Sequence, residues 1–160
     1  MPTQKKRRAR ESRDSDMLIE EAVLINADLA TIWKTFTDLT CWADWNTVAT
    51  GAASGSGRLE EGDTFKFCLR PFSVPITIEP KIEEVLPREK VVWSGGRFGI
   101  TSRHEFLFQQ ARNGVLVTSR EHFSGFPLLL GGKPLTEKIS RDLIVLMLQQ
   151  LKKACEGDSR

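Results

Sequence analysis

The sequence lacks the signatures of most well-marked catalytic machineries. It contains no GxGxxG, no GxxxxGK(S/T), no GxSxG and no HExxH. Dinucleotide and nucleotide chemistry, α/β-hydrolase chemistry and zinc-protease chemistry therefore have no support. Cysteine is scarce: Cys41, Cys68 and Cys155 are far apart, with no CxxC and no Cys/His cluster, so no zinc site is expected. An odd cysteine count without an export-type apolar stretch reads as reduced thiols and a cytoplasmic protein. Long apolar runs are missing too. Leu128–Leu130 and Leu143–Leu148 are far too short to span a bilayer. Nor is there an excess of one charge, since the net charge is only +2. That is not the balance of an obligate nucleic-acid binder.

What charge asymmetry exists lies at the start. Residues 1–16 carry Lys5, Lys6, Arg7, Arg8, Arg10 and Arg13 against Glu11, Asp14 and Asp16. With almost no apolar residue to pack, this segment reads as a disordered, solubilising basic tail, the one place where contact with nucleic acid or anionic lipid would begin. Residues 17–157 read as a single domain. The 160 residues, 40% of them hydrophobic, are enough for a core without staples.

Within that domain the hydrophobic period changes twice. Leu18–Asn26 is a strand pattern, and Asn26 or Asp28 can cap the next element. Leu29, Ile32, Trp33 and Phe36 mark one face of a short helix, and a second short helix or turn carries Trp42 and Trp45. Period two then takes over, through Phe65, Phe67 and Leu69, through Ile76 and Ile78 between Pro75 and Pro80, and through Val91–Ser94. Ile100–Gln110 and Val115–Phe123 flank an Asn113-Gly114 hairpin signal. Last, Leu135–Ala154 has no internal Gly or Pro, and Leu135, Ile139, Leu143, Met147 and Leu151 fall on one helical stripe. Strands in series with segregated helices indicate an α+β fold. The long terminal helix is the only element large enough to cover a curved antiparallel sheet of about seven strands.

Five local patterns in that order resemble the START-like, or SRPBCC, superfamily of helix-grip proteins. Ala27-Asp28 with Ile32-Trp33 resembles its Ala-Pro-x-x-x-Val-Trp helix opening. Asp38-Leu39-Thr40-Cys41-Trp42-Ala43-Asp44-Trp45-Asn46 is similar to its Asp-x-x-x-aromatic-Pro-x-Trp-Asn segment. Leu59-Glu60-Glu61-Gly62 leads into a strand in the family's manner. Val85-Leu86-Pro87 with Val91-Val92-Trp93 resembles its hairpin, and Glu121-His122-Phe123-Ser124-Gly125 its last-strand exit. Asp28 and Ala43 stand where the family carries prolines, and both are compatible with a helix. The resemblance covers residues 18–155. It implies a helix-grip fold with an apolar cavity between sheet and terminal helix, no cofactor, and polyketide cyclase-like, lipid-binding or other small-molecule-binding relatives.

Strand parity then nominates the lining. From the sheet it selects Phe65, Phe67, Ile76, Ile78, Trp93, Phe106, Phe108 and Phe123. Leu143 and Met147 join from the helix, and Trp45 from the short helical segment. Two titratable residues share the apolar parity, His104 and Glu121. A four-residue loop pairs Gln110 with Val115 and sets His104 opposite Glu121. A two-residue Asn-Gly loop sets His104 opposite Phe123, diagonal to Glu121. Either way they meet on one face, as a structural pair or as an acid–base dyad in which the carboxylate orients an imidazole titrating near neutrality. Phe126–Gly132, apolar and bounded by glycines, reads as a lid. Three functions fit: a carrier or sensor of a small hydrophobic molecule, a cofactor-free cyclase or dehydratase using His104 and Glu121, and a protein-interaction module of chaperone-activator type.

Overall fold

Ten residues of alternating burial begin the described chain. A computed structural model describes residues 16–125 and 132–157. The basic segment up to Ser15 and residues 126–131 of the expected lid lie outside the described residues. Strand β1 (Asp16–Ile25) buries Met17, Ile19, Val23 and Ile25. Asp28 then caps helix α1 (Leu29–Thr37), accepting from the Thr31 N–H at 2.9 Å. It thereby satisfies an amide that the first turn would leave open. The spacing of Ile32 and Phe36 puts both into the core, with Leu29 and Trp33 packed beside them. A 3-10 turn (Leu39–Cys41) leads to the single-turn helix α2 (Trp42–Trp45). The Trp42 indole donates to the Phe36 carbonyl at 2.8 Å, so this buried ring ties α2 back to α1.

Among the described residues the strands number eight, not about seven, and they form two sheets. β1, β8 (Gly114–Gly125), β7 (Ile100–Ala111), β6 (Lys90–Arg97) and β5 (Lys81–Leu86) make one antiparallel sheet in that order. β2 (Thr50–Ser54), β3 (Phe65–Leu69) and β4 (Ile76–Ile78) make the other. A lone Thr64–Lys81 bridge joins them. Pro80 stands at the seam. Its carbonyl accepts from the Phe65 N–H at 3.1 Å, but it has no N–H to return, so the ladder breaks there and the surface bends.

The β7–β8 hairpin takes the first of the two expected registers, with a shorter turn. Gln110 pairs with Val115 and Ala111 with Gly114, so Arg112-Asn113 makes the turn and Gly114 begins the strand. Gly114 has φ +138°, and a Cβ there would lie 2.1 Å from the Ile25 carbonyl oxygen. Only glycine allows β1 to end against this hairpin.

Helix α3 (Lys133–Glu156) crosses the concave face. Its most buried residues are Ile144, Met147, Leu148 and Leu151, and of the expected stripe Ile139, Leu143, Met147 and Leu151 face the cavity or the core while Leu135 does not. Leu135 is 55% exposed, while Ile139 and Leu143 are only partly covered. The helix is held at its C-terminal end. Lys152 Nζ donates to the Leu24 carbonyl at 2.7 Å, the Asn26 N–H donates to Glu156 at 2.8 Å, and Gln150 brackets Thr47. All three ties lie in the last two turns. Further up, Arg141 pairs with Glu21 on β1.

Candidate functional site

The inward rows of β6, β7 and β8 change character along their length. Near the β7–β8 turn the rows carry Phe106, Phe108, Val115 and Val117, all buried. Phe36 from α1 fills this end, with its ring 4.7 Å from Phe106 and 5.3 Å from Phe108. Toward the β6–β7 turn the same rows carry Gly95, Ser102 and Ile100, which line open space. A cavity of about 280 Å³ lies here, walled by Phe67, Ile76, Ile78, Trp93, Phe123, Leu143 and Met147 and reaching the exposed Phe98. Gly95 matters twice, since it leaves space inward and lets Pro80 approach. A Cβ there would meet Pro80 Cα at 3.3 Å.

Seven of the eleven nominated apolar residues therefore line the cavity: Phe67, Ile76, Ile78, Trp93, Phe123, Leu143 and Met147. Trp45, Phe65, Phe106 and Phe108 do not. They lie in the packed core next to it. Parity put them on the correct face but could not distinguish a filled end from an open one.

His104 and Glu121 face each other across β7 and β8 and both line the cavity. The imidazole Nδ1 is 3.7 Å from Glu121 Oε1, a close approach rather than a hydrogen bond. Each has a different hydrogen-bonding partner. His104 Nε2 meets Ser119 Oγ at 2.6 Å, and Ser102 Oγ donates to Glu121 Oε1 at 2.7 Å. Both serines share the dyad's parity, and a small polar residue among large apolar ones was the available signal. Ser119 is fully buried, so its hydroxyl can hold the imidazole but cannot reach a ligand. The His104 ring stacks on Phe106 at 4.2 Å and meets Trp93 edge-on at 5.3 Å.

Burial decides the charge of this pair. Desolvation raises Glu121 from 4.5 to about 7, with the Ser102 hydrogen bond pulling the other way, and lowers His104 from 6.5 to about 3. Mutual attraction of a carboxylate and an imidazolium would move both in the opposite sense. At neutral pH the imidazole is uncharged and the carboxyl is the group that titrates. Of the two opposing effects, desolvation outweighs attraction here. The 15% of the Glu121 side chain that stays accessible belongs to a residue lining the cavity. Among the described residues its Oε2 has no partner, yet it is not among the sealed-off polar atoms, so it opens on that space. On the outer face Arg120 pairs with Glu20, and His122 is about half exposed.

Among the described residues no group of three His, Cys, Asp or Glu side chains is placed to hold a metal, and no helix is long and apolar enough to cross a membrane. No curated protein matches the sequence. Solved structures do match in fold. The di-domain ARO/CYC StfQ from the steffimycin biosynthetic pathway superposes with a TM-score of 0.80 at 14% identity, over 93% of this chain and 54% of that one. This chain thus spans about half of such a di-domain protein. A START superfamily protein from Mycobacterium smegmatis gives 0.71 at 12% identity, over 87% and 97% of the two chains. Truncated norcoclaurine synthase from Thalictrum flavum gives 0.66 at 15%, over 87% and 92%. The helix-grip architecture is common to all three. The profile of the polyketide cyclase/dehydrase and lipid transport family matches residues 17–156, and the chain belongs to that family.

Proposed function

We propose that this chain binds one small hydrophobic or amphipathic molecule between its sheet and its terminal helix, as a carrier or sensor. The observation that carries this reading is the cavity itself: about 280 Å³, walled by aromatic and aliphatic side chains, with one polar cluster at its base. Small-molecule sites have this composition and, at their lower end, this size. A cytoplasmic setting fits the three free thiols. Titration with a panel of fluorescent fatty-acid and flavonoid probes tests the reading. Saturable one-to-one binding is expected, lost in Leu143→Trp, which fills the cavity from the helix. Binding no better than that of an unrelated protein sinks it.

A cofactor-free cyclase or dehydratase is the second reading, favoured by the carboxyl that titrates near neutrality inside an apolar cavity. General acid–base groups work best with a pKa near the working pH. In such an enzyme Glu121 would move the proton, and His104, held by Ser119, would be its neutral neighbour. Glu121→Gln should then abolish turnover of a bound polyketide-like substrate while binding persists. Loss of both together would return the residue to a structural role. The interaction-module reading has no observation of its own among the described residues.

A further inference from the structure

The cavity has a charge axis. Among its described lining residues, Arg97 is the only permanent cation and Glu121 the only carboxylate, and they sit at opposite ends. Arg97 pairs with Ile100 beside the β6–β7 turn, while Trp93 pairs with His104, which pairs with Glu121. Four residues of strand separate the two levels, about 13 Å at the usual rise.

The outer end is built to keep a cation in place. Arg97 Nη1 donates to the Thr77 carbonyl, and its guanidinium lies 5.0 Å from the Phe98 ring centroid. No carboxylate among the described residues lies within 4 Å of it. Phe98 is 74% exposed and holds φ +55°, a left-handed conformation that costs a bulky residue energy. Water-facing, strained and stacked with an arginine, this ring is poorly explained by packing. At the inner end Glu121 Oε1 is taken by Ser102, and among the described residues Oε2 is free toward the cavity.

We propose that the cavity takes an amphipathic acid lengthwise, with its anionic group at Arg97 in the mouth and a hydroxyl at Glu121 on the floor. The inference rests on the reading of the cavity as a ligand site. An anion entering head first would meet the Glu121 carboxyl inside apolar walls, where an unpaired charge is costly. At the mouth it meets a guanidinium that is wet and held in place. A hydroxyl satisfies Glu121 in either protonation state, because it can donate to the carboxylate or accept from the acid.

Calorimetric titration of the intact chain with four ten-carbon probes tests this: 10-hydroxydecanoate, decanoate, 1,10-decanediol and 10-amino-1-decanol. The hydroxy acid should bind tightest at low salt. Arg97→Ala should weaken both acids by about fivefold, as the loss of one exposed charge contact would, and leave the diol within about twofold. Arg97→Glu should reverse the order, so that the amino alcohol binds better than the hydroxy acid. Arg97 is exposed and outside the core, so these variants keep the fold. If the hydroxy acid and the diol bind equally and Arg97→Glu leaves the order unchanged, the orientation is overturned while the ligand site stands. If no probe binds, the site and the orientation fall together.

Discussion

One pair of strands, β7 and β8, builds two different interiors. At the turn end, Phe106 and Phe108 are met by Phe36 and the space is closed. At the far end the row continues as His104 and Ser102, which line a cavity. The backbone register is continuous through both, so the difference is one of side-chain volume and of where the helices are tied. α3 is fastened through Gln150, Lys152 and Glu156 at its C-terminal end, over the closed half. Its first turns stand over the open half with Ile139 and Leu143 half-covered. A tight core at one end lets the other remain unfilled.

The contrast can be broken most severely at the closed end. Phe36 is fully buried, and its ring contacts Trp42, Trp93, Phe106 and Phe108. Phe36→Ala should cost about 3–5 kcal/mol in chemical denaturation, the range for emptying a packed aromatic site. Phe123→Ala, in the cavity wall, should cost clearly less, because its side chain already borders empty space.

The next effect belongs to the open end and depends on pH. Glu121 is raised in the folded chain, from 4.5 to about 7. Its contribution is therefore complete below pH 4.5 and is lost as pH climbs through 7. His104 is lowered from 6.5 to about 3, so its contribution is complete above 6.5 and is lost as pH falls toward 3. The two slopes cancel between 4.5 and 6.5, which predicts a flat stability profile there, falling on either side. In Glu121→Gln the first slope vanishes. The variant's stability relative to the wild type should improve by up to about 3 kcal/mol between pH 4.5 and 8. A constant difference across that range would contradict the buried acid.

A smaller effect is expected from the imidazole's partner. His104→Leu leaves the fully buried Ser119 hydroxyl without its partner and should cost about 1–3 kcal/mol. Adding Ser119→Ala should recover much of that loss in a double-mutant cycle. Smallest is the change at the mouth. Phe98→Asn suits the left-handed turn and should leave stability unchanged or raise it by up to about 1 kcal/mol, while weakening the binding of anionic probes.

Much of this contrast was legible in the sequence, though unevenly. Parity along Ile100–Gln110 and Val115–Phe123 placed His104 and Glu121 on one face under either turn, and the five family patterns ordered the elements. Strand counting failed at Pro80, where one missing N–H divides the surface into two sheets. The terminal stripe was legible from Ile139 to Leu151, whereas Leu135, as apolar as Leu148, stands 55% exposed in the first turn, far from the ties of Gln150 and Lys152. Phe106 and Phe67 look equivalent as letters. Only the position of Phe36 makes one core and the other wall. The exchange of protonation roles between His104 and Glu121 depends on how dry the cavity is, a property of the assembled walls.

The central claim is that the open half is an apolar ligand cavity built around a carboxyl that burial raises toward neutrality. The carboxyl 13C shift of Glu121, followed by NMR against pH with and without a saturating apolar ligand, tests it most directly. The account predicts a midpoint near 7 in the free protein, moving higher when the ligand expels water. A midpoint near the ordinary 4.5 that ligand does not shift would contradict it.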